Sequence, residues 1–175
     1  MKKICHLSSV HPRLDTRILL KECSSLAKAG YDVSLIVGDG GENEIRNGVK
    51  IFGLKKFKSK LNRMVITPSS LFKMANNLNA DIYHIHDPEL IPVGLKLKKR
   101  NKIVIFDSHE NIEKQILSKH YFHPLIARII SLIYAFYEKW ALSKFDIIVA
   151  ATPSIRDKLL NYNNNVVDIN NYPIV

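Results

Sequence analysis

Cysteine is scarce in this chain, which has two such residues among 175, Cys5 and Cys23. Their spacing fits neither a zinc pair nor a redox motif, so a disulfide scaffold is excluded. Each reads as a buried thiol in a reducing cytoplasm, one in an apolar strand-like run and the other on an apolar helix face. Export signals are missing as well. Met1-Lys2-Lys3 leads directly into Ile4, with no apolar core of signal-peptide length and no small-residue cleavage site. Several catalytic spacings are also absent. No G-x-G-x-x-G follows the first apolar run, where His11-Pro12-Arg13-Leu14-Asp15 stands instead, so a dinucleotide-binding enzyme loses support. Without G-x-S-x-G, H-E-x-x-H or D-x-D, hydrolase, zincin and metal-clamped nucleotide-sugar readings lack their key residues. His84-x-His86-Asp87 has part of the look of a metal cluster but no further ligands in view, so no metal is expected.

Acidic residues are few: 16 Asp and Glu face 26 Lys and Arg, for a formal charge of +10. Two basic clusters carry much of the excess, one from Lys50 through Lys55, Lys56, Lys58 and Lys60 to Arg63, the other from Lys96 to Lys102. A polyanion or an anionic membrane is a plausible neighbour of such a surface. Solvated lysine at element ends is preferred over a nucleic-acid interface, and no nucleic acid is expected as partner. With 46% hydrophobic and 24% charged residues, the composition is that of a globular chain able to build its own core.

Short β-branched runs at 3–10, 32–37, 49–54, 82–85, 103–106, 147–150 and 166–169 alternate with amphipathic segments. This pattern predicts an α/β fold with a doubly wound, mainly parallel sheet and helices on both faces, over 1–175 as a single Rossmann-like domain. The first helix begins at a cap, Asp15 or Thr16, buries Leu19, Cys23, Leu26 and Ala27, and ends at Gly30. Its polar face carries Lys21, Glu22 and Lys28. Further helices are predicted after Pro88 and over 68–78, 124–143 and 153–162. The glycine-rich segment 38–47 lacks phosphate-loop spacing and reads as a surface turn.

In such sheets ligands bind beyond the carboxyl ends of the strands. Polar residues crowd those ends: Ser8, Ser9, His11, Arg13 and Asp15 after the first strand, His86, Asp87 and Glu89 after the fourth, Asp107, Ser108, His109, Glu110 and Asn111 after the fifth, and Thr152 and Ser154 after the sixth. His84 and His86 share one side of a strand. His84 reads as a structural histidine, and His86 as a rim residue whose neighbour Asp87 orients it toward a hydroxyl or phosphate. His109 is the strongest catalytic candidate, with a helix-start hydrogen bond as its alternative role. Asp107 either ties down the loop or meets substrate, and Arg17 is either solvated or anion-binding.

The segment 124–137 is almost wholly apolar, broken by Arg128 and Ser131, and too short to span a bilayer. Two readings stand: a helix packed in the core or under another domain, or an interfacial helix whose aromatic side chains enter headgroups while Arg and Lys meet anionic lipid.

Five segments together resemble the amino-terminal domain of the family 4, retaining, GT-B glycosyltransferases: Asp15-Thr16-Arg17-Ile18, Leu26 to Val33, His84 to Glu89, Asp107-Ser108-His109-Glu110, and Ala150 to Ser154. The resemblance implies an acceptor bound by this domain, a nucleotide-sugar donor held mainly by a second Rossmann-like domain, and retaining transfer between them. It implies that His109 approaches the donor sugar and diphosphate, and that His86 and Asp87 belong to acceptor binding or cleft structure. Arg13, Asp15 and Arg17 replace the family's glycine-rich first loop, and with Asp107 and Glu110 they complete the expected substrate-binding set. The nucleotide-sugar is a substrate, so no cofactor is expected. Because the chain stops near Asn170-Asn171-Tyr172-Pro173, the donor domain is expected to be missing and the fragment alone inactive. The acceptor is expected to be a glycan or a lipid-linked saccharide in surface polysaccharide or glycolipid synthesis, at the inner face of the plasma membrane. A non-catalytic binding or scaffold subunit and part of a GT-B nucleotide-sugar epimerase are the rival readings.

Overall fold

The computed structural model describes every residue except 58, 120–122, 171 and 173–175. Lys58 of the first basic cluster, and Asn171 and Pro173 at the chain end, lie outside the described residues. The chain forms two compact units, Met1–Phe106 and Asp107–Val175.

In the first unit the strands are β1 (Lys3–Ser8), β2 (Asp32–Val37), β3 (Glu44–Arg46), β4 (Val49–Gly53), β5 (Ile82–Ile85) and β6 (Ile103–Ser108), the last running on to the first residues of the second unit. They lie in the order β3-β4-β2-β1-β5-β6. All neighbours pair in parallel except β3 with β4. The chain therefore builds outward from β1 through β2 to β4, then returns to lay β5 on the other side of β1. That reversal creates a switch point between β1 and β5, where an open α/β sheet binds ligands.

A π-helical segment, Thr16–Cys23, runs into helix α1 (Ser24–Lys28). Its Ile18, Leu19 and Cys23 pack on Val33, Leu35 and Val37 of β2 and on Val49 and Ile51 of β4. Strand alternation places Cys5, Ser34 and Tyr83 on the opposite face, since they are register partners one residue out of phase with Leu35. There the Tyr83 hydroxyl donates to Ala75 O of helix α2 (Lys60–Leu78) and accepts from Ala80 N. A 3-10 turn, Pro88–Leu90, leads into α3 (Ile91–Lys98), which packs beside α2 and β5. Helices on both faces are thus present, as the unalternating apolar strands require.

The cap on the first helical segment is Asp15, whose Oδ1 accepts from Arg17 N and Ile18 N, each at 2.9 Å. At the other end Gly30, with φ of +89°, donates to Ala27 O while Tyr31 N donates to Leu26 O. These two bonds form a Schellman closure that needs the left-handed residue.

Three expectations change. The first helix opens as a π-helix, and Glu22 leaves the polar face for the interior. Segment 38–47 is more than a turn, because Glu44–Arg46 forms an antiparallel edge strand on β4. Helix α2 starts well before Pro68, which sits inside it.

In the second unit β7 (Ile147–Ala150) and β8 (Val166–Asp168) pair in parallel and are joined through α6 (Pro153–Leu159). Helix α4 (Ile112–Leu117) packs on α5 (Pro124–Leu142). Lys158 Nζ lies 2.7 Å from Glu113 Oε1 and 2.8 Å from the buried Glu138 Oε2, tying α6 to α4 and α5. Burial works against the Lys158 charge, yet its bonds to Glu113 and Glu138 prevail and raise its pKa.

Helix α5 is amphipathic in an inverted sense. It buries Ala127, Ser131, Glu138, Ala141 and Leu142, and exposes Leu125, Ile129, Leu132, Ile133, Phe136 and Trp140. This face does not pack in the core of this chain; a helix under another domain, the rest of that first reading, and an interfacial helix both call for such a face. Among the described residues no helix is long and apolar enough to cross a membrane.

Candidate functional site

At the switch point of the first unit, the loop after β1 is organised by one carboxylate. Asp87, buried at the end of β5, accepts at Oδ2 from Ser9 N at 2.6 Å, Ser8 Oγ at 2.9 Å, Ser9 Oγ at 3.2 Å and Val10 N at 3.3 Å. Its Oδ1 lies 3.5 Å from His11 Nε2. An X-Pro position favours extended backbone, and Asp87 before Pro88 is extended, which turns its side chain back toward β1. A carboxylate with that many donors fixes the loop geometry.

The rim continues outward from this anchor. Ser9 Oγ is also 2.8 Å from Glu89 Oε1, so its single proton is shared between Asp87 and Glu89, and Arg63 Nε of α2 lies 3.3 Å from that Glu89 oxygen. On the other side His11 Nδ1 is 3.2 Å from Asp15 Oδ2. Burial draws the Asp15 pKa upward, but the Ile18 and Arg17 amides and the neighbouring His11 outweigh it, leaving the carboxyl below its ordinary value. Asp15 and Asp87 are thereby bridged by one partly exposed imidazole, each ring nitrogen facing one carboxylate. Such a rim of carboxylates, hydroxyls and imidazole suits polyhydroxylated ligands.

Arg13 occupies a different place. Its Nε and Nη2 grip Asp39 at 2.6 and 3.0 Å, and Nη1 reaches Glu44 Oε1 at 2.9 Å and Glu42 O at 2.8 Å. The guanidinium joins the first loop to β3, holding the Asp39 and Glu44 carboxyls below their ordinary pKa values. A Cβ on Gly41 would run into Arg13 Nη2, so the glycine makes room for this clamp.

His86 was expected at the rim and lies in the interior instead, as does His84. The register pairs His6 of β1 with His84 of β5, and the two-residue period puts His86 on the same face. The three rings pack with centroids 4.6–5.2 Å apart, and His6 Nδ1 is 2.9 Å from His86 Nε2. Glu22 closes the group, its Oε2 lying 3.9 Å from His6 Nδ1, His84 Nδ1 and His86 Nε2. Arg17 is buried rather than solvated, with Nε 3.1 Å from Glu22 Oε1. His6 and Glu22 were missed as site residues. The available signal was a histidine inside the apolar run 3–10, in phase with two more histidines on a second strand.

In the second unit Asp107 is fully buried at the end of β6, and its Oδ2 lies 3.4 Å from Nε2 of His109, whose side chain is 21% exposed. The helix-start role falls to Asn111, which accepts from Lys114 N at 3.1 Å, so His109 is not the cap. A buried carboxylate beside a partly exposed imidazole fixes ring orientation. Glu110 is exposed. Thr152 accepts from Ile155 N and caps α6.

Several solved structures share the fold. Sucrose-phosphate synthase from Thermosynechococcus elongatus superposes with a TM-score of 0.70 at 15% identity, over 97% of this chain and 48% of that one. An α,α-trehalose-phosphate synthase (UDP-forming) from Burkholderia xenovorans, in complex with glucose-6-phosphate, gives 0.55 at 13% identity over 97% and 45%. A trehalose-6-phosphate structure from E. coli bound with UDP-2-fluoro glucose gives 0.57 at 15% identity over 91% and 42%. The chain thus spans somewhat less than half the length of these neighbours. A comparison with curated proteins gives no sequence match. Residues 16–171 match the sequence profile of Glycosyltransferase Family 4, and the chain belongs to that family.

Proposed function

We propose that this chain is the acceptor-binding half of a retaining glycosyltransferase that moves a sugar from a nucleotide-sugar donor to a glycan or lipid-linked saccharide. Family membership supports transferase chemistry. The observation that carries the acceptor assignment is the Asp87-anchored rim at the switch point, where the partly exposed His11, Asp15 and Glu89 present polar groups over the buried Ser9 without a phosphate loop. A sugar ring offers hydroxyls to such groups, whereas a diphosphate calls for amide-lined glycine loops or paired cations. His109, oriented by Asp107, is assigned to the donor side, where an imidazole stabilises charge developing on the sugar and its leaving diphosphate. The lack of D-x-D supports transfer without a metal clamp.

The exposed apolar face of α5, flanked by exposed Arg128, Lys139 and Lys144, supports attachment to an anionic bilayer in the interfacial manner. A lipid-linked acceptor in surface polysaccharide or glycolipid synthesis, at the inner face of the plasma membrane, fits that placement.

The test is titration of the isotopically labelled chain with saccharides and, separately, with nucleotide-sugars. Amide shifts at Ser9, His11 and Glu89 with saccharides, and none with nucleotide-sugars, are expected. Turnover of a nucleotide-sugar by this chain alone, or saccharide shifts that avoid the rim, would overturn the reading.

A further inference from the structure

We propose that His6, His84, His86 and Glu22 form a binding site for one divalent transition metal, zinc above all, buried beneath the switch point. Three imidazoles and a carboxylate are the donor set of borderline metals, and they arrive here from β1, β5 and the π-helical segment. The four donor atoms, one from each residue, all lie within 4.8 Å of one another.

The distances are those of a coordination shell. A tetrahedral ion with bonds of about 2.0–2.1 Å separates its donors by about 3.3–3.5 Å. The measured separations bracket that edge: 2.9 Å between His6 Nδ1 and His86 Nε2, and 3.9 Å from Glu22 Oε2 to each of the three ring nitrogens. Closing on an ion therefore asks shifts of roughly 0.5 Å in each of these four separations, while those from His84 to the other two rings lie within 4.8 Å. Two ring nitrogens at hydrogen-bond distance share at most one proton, and a metal replaces it.

Arg17 supplies the outer support. Its Nε, 3.1 Å from Glu22 Oε1, holds the carboxylate by one oxygen and leaves Oε2 turned to the imidazoles, the arrangement by which second partners orient a ligating group. The π-helix matters here. Its i to i+5 spacing stacks Glu22 over Arg17 and aims both at the sheet, and π-turns recur at functional sites. A metal so held would lock β1, β5 and the first helix together one residue below Asp87, stiffening the rim.

The experiment uses the chain freed of metal with a chelator. Zn²⁺ and Co²⁺ are then added, with stoichiometry read by elemental analysis after desalting, affinity by competition with a chromophoric chelator, and geometry by the Co²⁺ visible spectrum. One equivalent of tightly bound metal, an intense low-symmetry Co²⁺ band and a raised Tm are expected. Glu22→Gln and His84→Gln should each weaken binding by about 10-fold or more, while His123→Gln, on the surface, should not. Far-UV circular dichroism checks that the variants fold, and the wild-type Co²⁺ spectrum stands independently of them. No stoichiometric metal, an octahedral Co²⁺ spectrum, unweakened binding in either cluster variant, or loss in His123→Gln would each overturn the site.

Discussion

Arg17 Nε lies 3.1 Å from Glu22 Oε1, five residues along the chain, a spacing an α-helix sends to different faces and the π-helical segment brings onto one. Leu20 N bonds to Asp15 O, and Ser24 N to Leu19 O, in the i to i+5 pattern. The pair is largely buried, so removing one partner leaves an uncompensated charge inside. Arg17→Met should destabilise the chain by about 3 kcal/mol, read from the urea midpoint. Adding Glu22→Gln should recover part of that loss, and a strictly additive double variant would mean that the two side chains do not interact.

Asp87 makes a second, separable prediction. Charge-assisted hydrogen bonds contribute about 1.5–3 kcal/mol each, and its Oδ2 receives the Ser9 amide at 2.6 Å. In Asp87→Asn the Ser9 and Val10 amides should exchange with deuterium about 30-fold faster or more, equivalent to about 2 kcal/mol. Amides in the centre of β2 should be far less affected. Uniform acceleration throughout the unit would place the role of Asp87 in global stability instead of loop anchoring.

The Arg13 clamp predicts a pH dependence. Asp39 and Glu44 both have lowered pKa values, each chiefly through the Arg13 hydrogen bond. Their contribution is thus present above the ordinary carboxylate value of about 4 and is lost as pH falls through the depressed folded values. Arg13→Gln should flatten the acid limb of the stability profile, measured by urea unfolding at a series of pH values from neutral downward. Gly41→Ala should do the same, since the added methyl displaces the guanidinium. An acid limb identical to wild type in both variants would remove the clamp from the account.

The strands were legible because a strand buried on both faces must be a β-branched run, and 32–37, 82–85 and 147–150 coincide with observed strands. Edge strand β3 was hidden, since Glu44-Ile45-Arg46 offers one exposed apolar side chain and no alternation to detect. The start of α2 was hidden for a related reason. Met64, Val65 and Ile66 are exposed, so the first turns carry no amphipathic period, and Pro68 looked like a beginning. The rim was legible from the polar residues after β1 and β5, but their division of labour was not. A helical wheel at α-helical pitch sets Glu22 at the margin of the apolar face, about 60° from Leu19, where a charged residue reads as solvated, and the π-turn carries it inward. His86 followed from alternation once His84 was assigned to the interior. What overrode that logic was the nearness of Asp87 in sequence, although Asp87 points into the first loop.

Helix α5 carries the last prediction. Its exposed face includes Phe136 at 74% and Trp140 at 54% exposure, with Tyr137 packed 6.2 Å from the Trp140 ring. Fully burying one such side chain contributes about 1.5–3 kcal/mol, and each basic residue near an anionic surface adds about 1 kcal/mol. Vesicles containing phosphatidylserine should therefore sediment with the chain, neutral vesicles should retain it weakly, and added salt should release it. Phe136→Ser should weaken partition about 10-fold, as should Trp140→Ser, without lowering Tm, because neither side chain supports the core. Equal failure to bind both kinds of vesicle removes the membrane from the proposed function. It leaves the Asp87 rim untouched, since that rim is built in the first unit from β1, the loop after it and the end of β5.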